Sequence, residues 1–305
     1  MSVVTVPGPA FTVRTVDYAA AQPGLHAVRE VVFVQEQGVP AELERDELDP
    51  QSHHVIAEDA EGRPIGTGRL TPERRIGRMA VLAEWRSRGV GDALLLALLD
   101  KARELGWHDV ALHAQVSAIG FYARHGFLPQ GERFVEAGIE HQTMRRLLDA
   151  ANPVETHDAA IAALLGVIGT ARRELWIYSR DLDPGMFDNA EVMAALRRFG
   201  THRGVAHILL QDAIAPQSGR APLIGLSQRL PSAFVFRVIE EPVDRAYAAA
   251  FVANDQGGWY FRTLGHRPEG ETRIDQPARA RQLQGVFESV WERARPCSEY
   301  RALGI

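Results

Sequence analysis

Two glycines, Gly89 and Gly91, stand where a strand-like run gives way to a long apolar helix pattern, in the stretch WRSRGVGDALL from Trp85 to Leu95. Upstream, Ile76–Leu82 reads as a strand. Downstream, Leu94, Leu98, Ala102 and Leu105 recur at helical spacing over Gly89–Leu105, and Gly106 supplies the stop. Asp109–Ala114 follows as a short buried strand. A chain led from strand through glycine turn to helix and strand again belongs to the α/β class. The pair also has a chemical reading. The first amides of a helix are unpaired and carry partial positive charge, and glycine lets an anion approach them without a Cβ in the way. Arg86 and Arg88 would add charge-assisted contacts. A tight structural turn is the competing account. No Gly-Lys-Ser/Thr follows, so this is not a Walker A loop. Leu94 occupies the third position of Gly-x-Gly-x-x-Gly, so that motif is incomplete.

The remaining pattern extends the α/β reading. Phe11–Val16 predicts a strand, and Gly24–Gln37 a helix ended by Gly38-Val39-Pro40. The acidic run Glu42–Asp49 reads as a solvated loop or lid, able to attract a cationic amine. His53–Glu58, Ile65–Leu70 and Ile76–Leu82 predict three antiparallel strands. A helix at Ser117–His125 and strands at Phe127–Arg133 and His141–Leu147 complete a first unit. The polar, proline-bearing Asp149–Glu155 predicts a linker. The expected division is residues 1–148, a linker at 149–155, and a second α/β unit at 156–305. In that unit helices at Ala159–Arg172, Asn189–Phe199, Ile224–Leu230 and Ala278–Arg293 interleave with strands at Glu174–Ser179, Val205–Gln211 and Phe234–Ile239. A hairpin joins Ala248–Ala253 to Gly258–Arg262.

A length of 305 residues, 46% hydrophobic and 24% charged, leaves room for two cores. The net charge of −5 argues against broad nucleic-acid binding. The single cysteine, Cys297, excludes an internal disulfide framework and a multi-cysteine zinc site, and no metal is expected. The start MSVVTVPGPAFTVRTV lacks the layout of a signal peptide, and no apolar run reaches a membrane span, so a cytoplasmic protein is expected. Lys101 is the lone lysine, the other 33 basic residues being arginine, as in a GC-rich genome.

The motifs together carry a resemblance. Arg86-x-x-Gly89-x-Gly91 behind a strand and ahead of a helix, then a second helix bearing FYARHGF, resembles the GNAT family of acetyl-CoA-dependent N-acyltransferases over about residues 11–147. VFVQEQGVPAE, IGRMAV, AQVSAIGFYARHGF and EAGIEH look like its ElaA-like subgroup. The resemblance implies a mixed sheet with flanking helices and acetyl-CoA as cosubstrate. It places Met79, Ala80 and Val81 along the pantetheine arm. Arg86, Arg88, Gly89, Val90, Gly91, Asp92 and Ala93 would lie around the pyrophosphate. Gln115 stands where many members have an asparagine. Tyr122 would be the general acid that protonates the leaving thiolate, its alternative reading being a core aromatic beside Phe121. A base for the attacking amine could be Glu36, His54 or His141, and each has a purely structural reading. Direct transfer to a small-molecule or peptide amine in a ternary complex is expected. A non-catalytic acyl-CoA sensor or scaffold is the alternative.

In the second unit, ELWIYSRDLDPGMF, VAHILLQD, LIGLSQRL and AFVANDQGGWYFR resemble a half of the phospholipase D fold, whose signature is His-x-Lys-x4-Asp. Aligning its acid on Asp255 places Ala248 and Ala250 at the histidine and lysine positions, so this half would lack that chemistry. Its expected uses are binding, covering a substrate, or forming a homodimer. Trp176, Trp259 and Trp291 are expected to fill its core.

Overall fold

The computed structural model describes residues 11–44 and 46–300. The first ten residues, part of the stretch tested for a leader, lie outside them. The chain divides into two compact units: 1–115 with 132–149, and 116–131 with 150–305. Among the described residues no helix is long and apolar enough to cross a membrane.

The first unit opens with β1 (Phe11–Val16) and α1 (Tyr18–Arg29). Helix α1 starts six residues before the expected Gly24, because the Asp17 side chain caps it by accepting the Ala20 N–H at 3.1 Å. Pro23 argues for a later start, yet the helix runs through it. A π-helical run, Glu30–Glu36, continues from α1, followed by one turn of helix, α2 (Ala41–Glu44). Strands β2 (His53–Asp59), β3 (Pro64–Leu70) and β4 (Arg75–Val81) come next. They lead to α3 (Val90–Glu104), β5 (Asp109–Gln115), the short α4 (Ile119–Arg124), β6 (Leu128–Glu136) and β7 (Ile139–Leu147). The sheet order is β1-β2-β3-β4-β5-β7-β6. Its pairs are antiparallel from β1 to β4 and between β5 and β7, while β4 and β5 run parallel, giving the mixed sheet the resemblance implied.

Helix α3 buries Leu94, Leu95, Leu98, Leu99 and Ala102 on the sheet. Two glycines of β3 let it approach closely. A Cβ on Gly66 would sit 2.9 Å from Leu94 Cδ1, and one on Gly68 2.9 Å from Leu98 Cδ1. Val28 and Val32 pack with Ala80, which seats α1 and the π-helical run over β4.

The second unit adds β8 (Asn152–Val154), α5 (His157–Thr170), β9 (Glu174–Ser179), α6 (Ala190–Thr201), β10 (Val205–Leu210), α7 (Ile214–Ser218), α8 (Pro222–Arg229) and β11 (Phe234–Val238). It ends with α9 (Pro242–Arg245), β12 (Ala250–Asn254), β13 (Trp259–Arg262), β14 (Gly270–Arg273), α10 (Pro277–Trp291) and β15 (Arg295–Pro296). The strand β8 lies in the stretch expected to be a linker. It pairs with β14 at the edge of a sheet ordered β15-β11-β10-β9-β12-β13-β14-β8. Helix α10 buries Leu283, Phe287 and Val290 against Trp176, Tyr178, Phe251 and Trp259. Helix α5 is apolar all round and deeply buried. Helix α4 packs on it: a Cβ on Gly166 would lie 2.8 Å from the Ala123 carbonyl oxygen.

The turn after β12 explains Asp255. Its two carboxylate oxygens accept the backbone N–H groups of Arg172 at 2.9 Å and Arg173 at 3.1 Å. Asn254 donates to the Val167 carbonyl at 2.6 Å and accepts Gly258 N–H at 2.8 Å. The acid of the expected signature is thus engaged as a staple between a turn and a helix end.

Candidate functional site

In the first unit the sheet comes apart beside β4. Strand β4 pairs with β5 only at Arg75–Ala111 and Ile76–Leu112. Beyond that point β4 keeps its pairing to β3, and β5 keeps its pairing to β7 as far as Gln115–His141, so a gap opens between them. A one-residue bulge marks the parting: Arg69 faces Gly77 while Thr67 faces Ala80, and Arg78 within it has φ +51°. The Leu82 N–H donates to Ile65 on the β3 side at 3.0 Å. Alternation along a strand then turns the Val81 amide and carbonyl toward the gap. The Val81 carbonyl accepts there from Arg86 Nε at 3.0 Å.

The turn that follows is built for helix entry. Ser87 at φ +60° and Gly89 at φ +84° reverse the chain, and α3 begins with no side-chain cap on its first amides. Nothing lies within 4 Å of where a Gly89 Cβ would be. Arg86, Ser87, Arg88 and Gly89 are exposed, Val90 is buried, and Gly91, Asp92 and Ala93 are half-buried. Arg88 lies over the Trp85 ring at 5.3 Å and has no carboxylate partner among the described residues. An open strand edge, uncapped helix amides and two arginines within one turn fit the pantetheine arm and pyrophosphate of an acyl-CoA.

The π-helical run reaches both sides of the gap. Glu36 forms a bidentate pair with Arg86 at 2.7 and 2.5 Å, and Gln37 accepts from Gln115 Nε2 at 2.9 Å. Sequence reasoning singled out Glu36 and Gln115 but not Gln37. A π-helical run at such a place is a recurrent functional marker. The Arg86 hydrogen bond holds the Glu36 carboxyl below its ordinary range, outweighing its slight burial.

The remaining candidates have partners of their own. His54 is buried, its Nε2 is 2.8 Å from the Asp49 carbonyl, its ring lies against Tyr18, and burial lowers its pKa. His141 is half-buried, with Nδ1 2.8 Å from the Ile139 carbonyl. Tyr122, on α4 in the second unit, packs against Phe121 and Phe127. Its hydroxyl has no hydrogen bond among the described residues, and burial pushes its pKa up to about 12.

The acidic run is not a solvated loop. Arg29 from α1 binds Glu44 and, at 3.1 and 3.0 Å, Asp49. Arg69 from β3 binds Asp46 at 2.6 Å and Asp49 at 2.7 Å. Arg78, from the β4 bulge, donates at 3.0 Å to the Glu44 and Leu43 carbonyls and to Asp46. Arg29, Glu44, Asp49 and Arg69 are all at most 5% exposed. Burying these carboxylates is tolerable only with such partners. The run therefore grips the bulge rather than waving over it. Arg78 is a residue that sequence reasoning missed, an arginine among buried strand neighbours being its one signal.

Residues 18–148 match the family model described as an acetyltransferase (GNAT) domain, and residues 156–303 match a domain of unknown function, DUF7931. The chain is 42% identical over 123 residues to the uncharacterized N-acetyltransferase YjcF of Bacillus subtilis, covering 39% of this chain and 87% of that protein. An acyl-CoA N-acyltransferase from Pseudomonas aeruginosa is 30% identical, with a TM-score of 0.41, over 45% of this chain and 99% of that one. Escherichia coli ElaA is 24% identical, with a TM-score of 0.41, over the same shares.

Proposed function

Through residues 18–148 this chain belongs to the GNAT acetyltransferase family, and from that premise we propose that it transfers an acetyl group from acetyl-CoA to an amine by direct attack in a ternary complex. The observation that carries the reading is the parting of β4 from β5 after Ile76 and Leu112, with the bulge at Arg78.

Acetyl-CoA, when bound, supplies the acyl group as a thioester. The chain's own residues do the rest. The gap-facing backbone of Met79 and Val81, on either side of Ala80, pairs with the pantetheine arm and offers a fixed N–H to the oxygen on which charge grows. The first amides of α3, from Val90 to Ala93, with Arg88 and Gly89, hold the pyrophosphate. Arg86 is kept in place by Glu36 and the Val81 carbonyl. Gln37 and Gln115 fasten the opposite side of the gap. Tyr122 gives its proton to the departing thiolate, and burial keeps that phenol protonated. The attacking amine loses its proton to water. Glu36 is paired and of lowered basicity, and His54 is shut inside the unit.

Residues 1–148 form the acyltransferase in this reading, and 156–305 supply no phosphodiester chemistry, since Asp255 is committed to backbone amides. The acceptor is a small-molecule or peptide amine. The test is thiol release from acetyl-CoA by the purified chain across an amine panel. Amine-dependent release is expected, falling ~10²-fold or more in Tyr122→Phe, the size of a lost acid–base step. Acetyl-CoA binding with no amine-dependent release would overturn the assignment in favour of a sensor.

A further inference from the structure

The second unit holds a cavity of about 370 Å³ that acyl transfer leaves unexplained. It lies where the topology reverses. From β9 the chain proceeds outward to β10 and β11, then returns to β12 on the other side of β9. The carboxyl ends of the parallel β9 and β10 and the amino end of the antiparallel β12 share this edge. Open α/β sheets bind ligands in the crevice at such a switch point.

Two arginines and a histidine line the cavity. Arg180 follows β9, Arg245 ends α9, and His266 lies in the loop after β13. Among the described residues none of these three side chains has a hydrogen bond or ion pair. The lining acid, Asp212, already accepts the Ile214 and Ala215 amides on one oxygen, at 2.8 and 3.1 Å. Ala248 and Leu264 give the cavity apolar wall.

The loops that carry these groups are fixed from beneath. Arg262 and Asp183, both buried, form a bidentate pair at 3.0 and 2.6 Å. Asp183 accepts from Ser179 at 2.9 Å, just before Arg180, and Arg262 donates to Gly265 at 2.8 Å, just before His266. Tyr178 donates to the Asp244 carbonyl at 3.0 Å, beside Arg245, and Gln211 to the Tyr247 carbonyl at 2.7 Å. The loops are therefore fixed while the two guanidinium groups keep no carboxylate partner among the described residues, a preorganised arrangement for an oxyanion.

We infer that this cavity binds a small organic phosphate. Two arginines from separate loops suit a phosphate dianion. The volume exceeds a bare ion and falls in the range of small-molecule sites. The free oxygen of Asp212 and the Ala248–Leu264 wall take the organic part.

Calorimetric titration of the full chain at low salt tests this, with AMP and inorganic phosphate as probes. AMP is expected to bind saturably and more tightly than phosphate. Arg180→Gln and Arg245→Gln should each weaken it about tenfold, the loss of one charge-assisted bond. Ala248→Glu should abolish it. All three positions are exposed, so the variants should keep the parent melting temperature. Arg88→Gln, in the first unit, should leave AMP binding unchanged. Absence of saturable heat at ~10 mM AMP, enough to fill even a ~1 mM site, would overturn the inference. So would binding that survives both arginine changes or is lost in Arg88→Gln.

Discussion

Single residues decide what kind of acid and base chemistry is on offer. Burial alone moves the Tyr122 phenol, to about 12. It therefore stays protonated at every working pH, and kcat for a good amine should show no tyrosine-derived fall below pH ~11, about one unit under that value. The acidic limb should follow the amine's own protonation. Glu36 behaves in the opposite sense, since its pairing with Arg86 keeps it ionised and weakly basic. Glu36→Gln is expected to change KM for acetyl-CoA no more than a few-fold, because an exposed pair is worth about 0–1 kcal/mol, and to leave the acidic limb of kcat in place. Loss of that limb would make Glu36 the base after all. At this scale the glycine pair was legible in the sequence because a left-handed turn ahead of a helix leaves few residue choices, and Gly89 sits at φ +84°. Gln37 was not legible, because its partner Gln115 is 78 residues away and nothing local signals the hydrogen bond.

At the scale of elements, alternation and helical spacing recovered most strands and α3, since each buries one clean face. What escaped was whatever depended on register or on distant partners. A one-residue bulge leaves the apolar pattern of IGRMAV unchanged, so the parting of the sheet was invisible before the pairing was known. The acidic run looked solvated because its three arginines come from α1, β3 and β4. Short edge strands such as β8 and β15 have too few residues to show a period. The clamp itself is testable. Arg29→Met leaves Glu44 and Asp49 buried with a missing partner, and urea unfolding of the first unit should lose about 3–5 kcal/mol. Burial by itself would raise Asp49, but Arg29 and Arg69 outweigh it and hold its pKa below the ordinary value. A depressed carboxylate contributes stability above its unfolded pKa and loses it as pH falls through the folded one. Stability of this unit should therefore decline from about pH 4 downward in the parent. That decline should be shallower in Arg29→Met. An identical slope in both proteins would mean the cluster does not set acid stability.

Across the whole molecule, Tyr122 shares a unit with residues far along the chain. Helix α4 is six residues long, too short to persist on its own hydrogen bonds, and it rests on Gly166 of α5. Gly166→Ala adds a methyl 2.8 Å from the Ala123 carbonyl, a backbone atom that must move. The variant should lower kcat, by up to ~10²-fold for a shift near 1 Å, while acetyl-CoA affinity holds and the melting temperature falls only modestly, alanine's better helix propensity offsetting part of the overpacking. Unchanged kcat would detach Tyr122 from the chemistry. The polar stretch at 149–155 suggested one clean cut, and nothing in the composition of 116–131 signals that it groups with the later residues. The fit of α4 on a helix face that lacks a Cβ at Gly166 carries a historical corollary. A gene rearrangement that exchanged the segment beyond residue 155 for some other module would remove the floor under the proposed proton donor, so α4 and α5 must travel through descent together or be refitted along the face where Gly166 and Gly169 meet Ala123 and Arg124.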